Sequence, residues 1–271
     1  MAARLGSPPT AAHIGGMTIP SAPRCWICGD IATTAEHMTN QSVLRLFMGE
    51  PARGSPFFFN SRTRKNRHVQ GPDTGLLKPI KDLCGTCNSS RTQPHDLALM
   101  ALLEWMKARK PVMSPGMVLR PRQIFGPDAT QQLLNLHLYF VKKFGCLVVQ
   151  AQHEGTPMPI NLANAAKAIM TGRPHPHLYL RFGCTPPSWP TTIGRASPDH
   201  IHDQVEGKHV WLDWCHYFGP YAVHVIYAED AMKHHWMLAD AWHPRDGIQK
   251  LRLALIDKPI DFKRSKVPLR F

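Results

Sequence analysis

The chain has 271 residues, 43% hydrophobic and 19% charged, which is enough apolar material to bury a core and excludes a wholly disordered chain. Its 32 Lys and Arg against 19 Asp and Glu leave a net charge of +13, which favours a polyanionic partner, nucleic acid first among them, although a basic balance also serves solubility alone. No run approaches the roughly 18 apolar residues of a membrane span and the first two dozen residues lack an apolar signal core, so a cytoplasmic protein without membrane contact is expected.

In chain order, residues 1–23 are rich in Ala, Pro, Gly and Ser without apolar periodicity and read as a flexible arm. From Arg24 to about Ser90 the chain is loop-rich and poor in core residues, so it needs a staple. Inside it, Phe57-Phe58-Phe59 precede the basic residues Arg62, Arg64, Lys65 and Arg67. That order suits a DNA-facing hairpin or loop, and equally a solvated loop pinned by its phenylalanines. Residues 96–109 form the clearest helix, with Asp96 as its cap, and a proline-rich linker follows over 111–127.

The remainder, 128–271, reads as a mixed α and β domain whose role the sequence does not announce. A helix is expected over Asp128–Phe144, capped by Asp128 and stopped by Gly145, then a short strand at Cys146–Gln150. A second helix spans Ile160–Thr171 and ends at Gly172. His177–Phe182 alternates with period two, the mark of a half-buried strand, and His209–Phe218 with Tyr221–Tyr227 flank Gly219-Pro220 as a hairpin. The fold class is therefore α+β.

The chemistry lies in the first third. Of seven cysteines, Cys146, Cys184 and Cys215 stand among apolar neighbours and read as small buried hydrophobes. The other four form two C-x-x-C knuckles, Cys25/Cys28 and Cys84/Cys87, separated by 55 residues. Each knuckle turns two thiolates toward one point, and two knuckles complete the four soft ligands of a structural Zn2+. Gly29 and Gly85 are expected at positive φ in those turns. A redox pair needs only one knuckle between a strand and a helix, so a thiol oxidoreductase is the weaker reading.

Glu36-His37 follows the first knuckle and Asn88 directly follows the second. The order C-x-x-C, Glu-His, Leu-Cys-x-x-Cys-Asn, carried by residues 25–38 and 81–96, resembles the zinc-supported version of the HNH (ββα-metal) endonuclease family. The resemblance implies a zinc-stabilised ββα-metal module over residues 24–110 that hydrolyses phosphodiester bonds, with DNA as the expected substrate. It implies that Glu36 and Asn88 hold a catalytic Mg2+ or Mn2+ and that His37 is the general base toward the attacking water. HNH modules serve restriction, homing, phage packaging, toxins and repair, and the resemblance does not choose among these.

Where the family has a middle Asn, about five residues before the second knuckle, this chain has Pro79. The departure supports a second expectation: a catalytically degenerate HNH scaffold that binds nucleic acid. Arg91, one helical turn from Asn88, is a candidate phosphate contact. His95 is a candidate auxiliary ligand or phosphate contact, with a structural turn residue favoured because Pro94 restarts the helix there.

Overall fold

A computed structural model describes residues 22–37, 39–49, 58–59, 67–68, 77–78, 80–156, 158, 160–188, 192–195, 199–203, 208–229, 238, 240–247 and 250–257. Residues 1–21 of the expected arm over 1–23, and the basic residues Arg62, Arg64 and Lys65, lie outside the described residues, while Pro23 is tied to the first knuckle through Ala32 N donating to Pro23 O (2.8 Å). Arg67 is described in its backbone alone: β1 (Phe58–Phe59) and β2 (Arg67–His68) pair antiparallel, Phe59 opposite Arg67.

The longest element is α5 (Ala129–His153), a helix that buries residues along most of its length. It runs through Gly145, where a stop was expected, and absorbs the segment expected as a strand. The reason is energetic. One interior glycine costs about 1 kcal/mol, whereas Cys146, Leu147 and Val148 gain more than that by burial in the helix. Asp128, the expected cap, makes no side-chain capping bond and instead ends a short 3-10 turn.

Gly145 has a packing purpose. A Cβ there would lie 2.3 Å from Cζ2 of Trp26, so the indole of the first knuckle rests directly on the α5 backbone. Gly145→Ala gains up to about 1 kcal/mol of helix propensity but overpacks this contact at a cost of about 1–3 kcal/mol. We expect net destabilisation, read as a lowered urea midpoint; an unchanged or raised midpoint would show that Trp26 moves aside freely.

Facing α5 from one side is the sheet. Among the described residues it contains β4 (Leu178–Cys184), β5 (Thr192–Arg195), β6 (Asp199–Asp203), β7 (Lys208–Gly219), β8 (Tyr221–Ala228) and β10 (Ala254–Leu255). Their order is β10-β4-β8-β7-β5, with β6 also on β7; β10 lies parallel to β4 and the other pairs are antiparallel. β7 and β8 make the expected hairpin, Phe218 opposite Tyr221, and Gly219 takes the φ of +67° that this tight turn demands. Phe144 of α5 stacks on Trp214 and Tyr227, ring centroids 6.0 and 4.9 Å away.

α1 (Gln41–Met48) packs on α3 (Gln93–Ala108), and α3 and α6 (Ala163–Thr171) pack on α5. α3 starts earlier than expected, so Asp96 sits inside its first turn rather than capping it. α6 ends as expected at Gly172, which adopts the left-handed conformation (φ 62°, ψ 36°). Within the proline-rich 111–127 stretch lie β3 (Val118–Leu119) and α4 (Pro121–Phe125), and β3 pairs with β9 (Leu251–Arg252). One apolar cluster runs in sequence from Cys25 to Leu253, joining the knuckles to the helices and the sheet. Cys146, Cys184 and Cys215 are buried, as expected. Among the described residues no helix is long and apolar enough to cross a membrane.

Four histidines, His137 of α5 with His175, His177 and His243, cluster beside the sheet, and ring nitrogens of His137, His175 and His243 accept backbone N–H groups. His175 N donates to His137 Nε2 (3.1 Å), His177 N to His175 Nδ1 (3.1 Å) and Arg245 N to His243 Nδ1 (3.0 Å). Burial, aided by the neighbouring rings, lowers the pKa of His137 far below its usual value and that of His175 to about 3; burial also lowers His177 and His243. A depressed histidine pKa makes stability highest above about 6.5 and lets it fall as the unfolded chain takes up protons the folded chain refuses. Each such histidine steepens the loss by up to about 1.4 kcal/mol per pH unit. With zinc saturating, the urea midpoint should drop between pH 7 and 5, and His175→Gln should flatten that slope by one proton. Identical slopes would remove His175 from the account.

Candidate metal centre

The two knuckles meet because the chain after the first pairs with the chain before the second. Thr34 lies opposite Leu83 in an antiparallel bridge, Thr33 N and Thr34 N donating to Leu83 O at 3.0 and 2.9 Å. Trp26 N donates to Asp82 O (3.2 Å), which closes the same junction from the other side. In the first knuckle Gly29 N donates to Cys25 O (2.8 Å), and Gly29 has the expected positive φ of +84°. Gly85 does not: it opens the short helix α2 (Gly85–Asn88), whose N-terminus is capped by Cys84 Sγ accepting from Cys87 N at 3.4 Å. The second knuckle is a helix start, and helical φ suffices there.

The Sγ atoms of Cys25, Cys28, Cys84 and Cys87 lie within 4.8 Å of one another, with Cys28 and Cys84 3.6 Å apart. A Zn–S length of about 2.3 Å implies tetrahedral S···S edges of about 3.8 Å, so this set fits a four-sulfur zinc site. Three of the four thiols are buried. Arg91 directs Nη1 to Cys87 Sγ at 2.8 Å, a charge-assisted contact that offsets part of the negative charge four thiolates bring to one ion. Its guanidinium thus addresses sulfur in this structure, where the sequence suggested a phosphate contact. Thr92 Oγ1 donates to Cys87 O (2.9 Å) and ties α2 to the start of α3.

Around this centre the structure brings together the residues singled out by sequence. Asn88 Nδ2 donates to Ala35 O at 3.3 Å, placing α2 against the Glu36-His37 segment. His37 Nε2 is 3.1 Å from Gln41 Nε2; the amide nitrogen can only donate, so this ring nitrogen accepts. His95 is buried with Nδ1 unpartnered, and burial together with the Lys142 ammonium lowers its pKa to about 4. Among the described residues, the four cysteines form the group found close enough to hold an ion; neither Glu36 nor His95 belongs to one.

Glu36 has partners that sequence reasoning missed. Its Oε2 lies 2.8 Å from Lys142 Nζ and its Oε1 accepts from Lys143 Nζ, which also donates to His37 O at 2.5 Å. Lys142 further approaches Asp96 Oδ2 (3.7 Å), and Asp96 Oδ1 accepts from Asn40 Nδ2 (3.4 Å). Burial alone would raise the Glu36 pKa, but Lys143 and Lys142 outweigh it and hold the carboxyl down to about 2. The signal in sequence was the pair Lys142-Lys143 inside the apolar run Phe140-Val141 and Phe144, where only paired cations are buried. A hard divalent ion does not fit here as these residues stand: both carboxylate oxygens are taken, and the ion would face two ammonium groups.

Compared with known proteins, the chain matches no family model, no curated protein and no solved structure. What the geometry can do rests on its own residues. They supply a four-cysteine cluster able to hold a metal, a buried cluster of paired charges, and an open cleft of about 360 Å³ lined by Asn88, Ser89, Ser90, Gln93 and Asp96.

Proposed function

We propose that the chain is a nucleic-acid-binding protein built on a zinc-stapled, HNH-like scaffold, with DNA as its expected partner. The observation that carries this reading is the convergence, around one four-cysteine cluster, of the Glu36-His37 segment and Asn88. These are the segments in which the resemblance lies. The net charge of +13 supplies affinity for a polyanion largely without regard to sequence. Fluorescence polarisation with a labelled duplex should show binding that weakens steeply, by about tenfold or more between 50 and 200 mM salt. A flat salt response, or no binding by the zinc-loaded chain, overturns the reading.

A second reading, phosphodiester hydrolysis, is favoured by one observation: Asn88 and Asp96 line an open cleft beside the segment that bears His37. It is tested by nicking of supercoiled plasmid with Mg2+ or Mn2+, running His37→Ala beside the wild type. Nicking that vanishes in the variant while zinc content is unchanged would make the protein a nuclease with His37 in its chemistry. Binding without nicking is the result we expect, because Glu36 is not free to hold an ion.

A further inference from the structure

We infer that Lys142 and Lys143 take the place of a divalent cation in this HNH-like site, so that the folded chain binds neither Mg2+ nor Mn2+ there. The inference rests on the HNH-like reading of the Glu36-His37 and Asn88 segments. It adds what occupies the acid that such a scaffold would turn toward a metal.

The two lysines are consecutive on α5, so their side chains leave the helix about 100° apart. A single group can touch both only if it is laid across the helix between them, and Glu36 is: one carboxylate oxygen meets each ammonium. Lys143 also holds the His37 carbonyl at 2.5 Å, so a second oxygen suited to a hard cation is spoken for. Asp96, another nearby carboxylate, is shared between Lys142 and Asn40. The charges of Glu36 and Asp96 are matched by those of Lys142 and Lys143, while burial raises the pKa of Asp82, a further carboxyl close to Glu36, and so disfavours its charge.

Displacing the lysines is not a matter of swinging exposed side chains aside. Lys142 and Lys143 are 1% and 3% exposed and belong to a 25-residue helix embedded in the core. An expelled ammonium would have to stay buried without a partner, a penalty of several kcal/mol that a weak carboxylate site for Mg2+ does not offset. Mg2+ also keeps much of its water and needs room for six ligands, whereas the Glu36 side chain is only 10% exposed.

The experiment is a Mn2+ titration of the full-length chain followed by electron paramagnetic resonance of the free ion, with zinc kept saturating so that the cysteines are filled. The wild type should leave the free-Mn2+ signal undiminished up to ~1 mM, the range in which weak carboxylate sites fill. Uptake of one equivalent by the wild type overturns the inference. The double variant Lys142→Met/Lys143→Met leaves the Glu36 and Asp96 carboxylates without an ammonium partner and should take up one equivalent, with a melting temperature that rises on adding Mn2+. A variant that keeps its fold and still takes up none overturns it as well. Because the signal reads ion binding and not DNA, loss of the polynucleotide-binding reading would be seen separately, in the polarisation assay.

Discussion

Cys84→Ser should release the metal and abolish the fixed fold around the knuckles. Cys84 would contribute a ligand, its Sγ lying 3.6 Å from Cys28 Sγ, and it also caps α2, while its carbonyl accepts from Asn88 N at 3.0 Å. Serine is nearly isosteric and its hydroxyl can still cap a helix, so the lost sulfur–metal bond dominates the effect. Structural zinc in small sites is worth about 10–16 kcal/mol at neutral pH, the same order as the entire net stability of a domain, about 5–15 kcal/mol. The loss will not stay local, because Cys25, Cys84 and Cys87 belong to the same apolar cluster as α3 and α5, and Trp26 rests on Gly145. We expect zinc content near zero by elemental analysis, a melting temperature lowered by more than 10 °C for a chain of this size, and loss of near-ultraviolet circular dichroism. A variant that retains zinc and its melting curve would mean the four-cysteine site is wrong.

That site was legible in sequence because its signal is local. Two residues between paired cysteines set each knuckle, and four soft ligands suit a tetrahedral metal site such as zinc. Local signals also located α6 with its Gly172 stop and the β7–β8 hairpin at Gly219-Pro220. The failures share a cause. Gly145 reads as a stop only while Trp26, 119 residues earlier in sequence, is invisible; with the indole in place the same glycine becomes a contact surface inside a continuous helix. Asp96 reads as a helix cap until Asn40 and Lys142 claim it. Glu36 reads as a free carboxylate because its partners come from a segment 106 and 107 residues away. The motif named two segments that the fold brings into contact, but it could not report what α5 inserts among them.

Glu36→Gln offers the sharpest measure of that insertion. The amide keeps the shape of the side chain but strands Lys142 and Lys143, both buried, without their shared counter-charge. Removing one partner of a buried ion pair costs about 3–5 kcal/mol, against at most about 1 kcal/mol for an exposed one. Lys143→Met alone should cost less, because Lys142 still pairs with Glu36 at 2.8 Å. Adding Lys143→Met to Glu36→Gln removes one of the stranded ammonium groups, so the double variant should be less destabilised than the sum of the singles by about 0.5–3 kcal/mol. Urea unfolding at pH 7 with zinc saturating reads all three. Because Glu36 is held at about 2 against an ordinary 4.5, its contribution is complete above about pH 4.5 and is lost only as pH falls through about 2. The gap between wild type and Glu36→Gln should therefore be constant from pH 7 to 5, while both chains lose stability through their buried histidines. Strict additivity, or a cost below about 1 kcal/mol, would reduce the cluster to a solvated surface pair and reopen Glu36 to a cation.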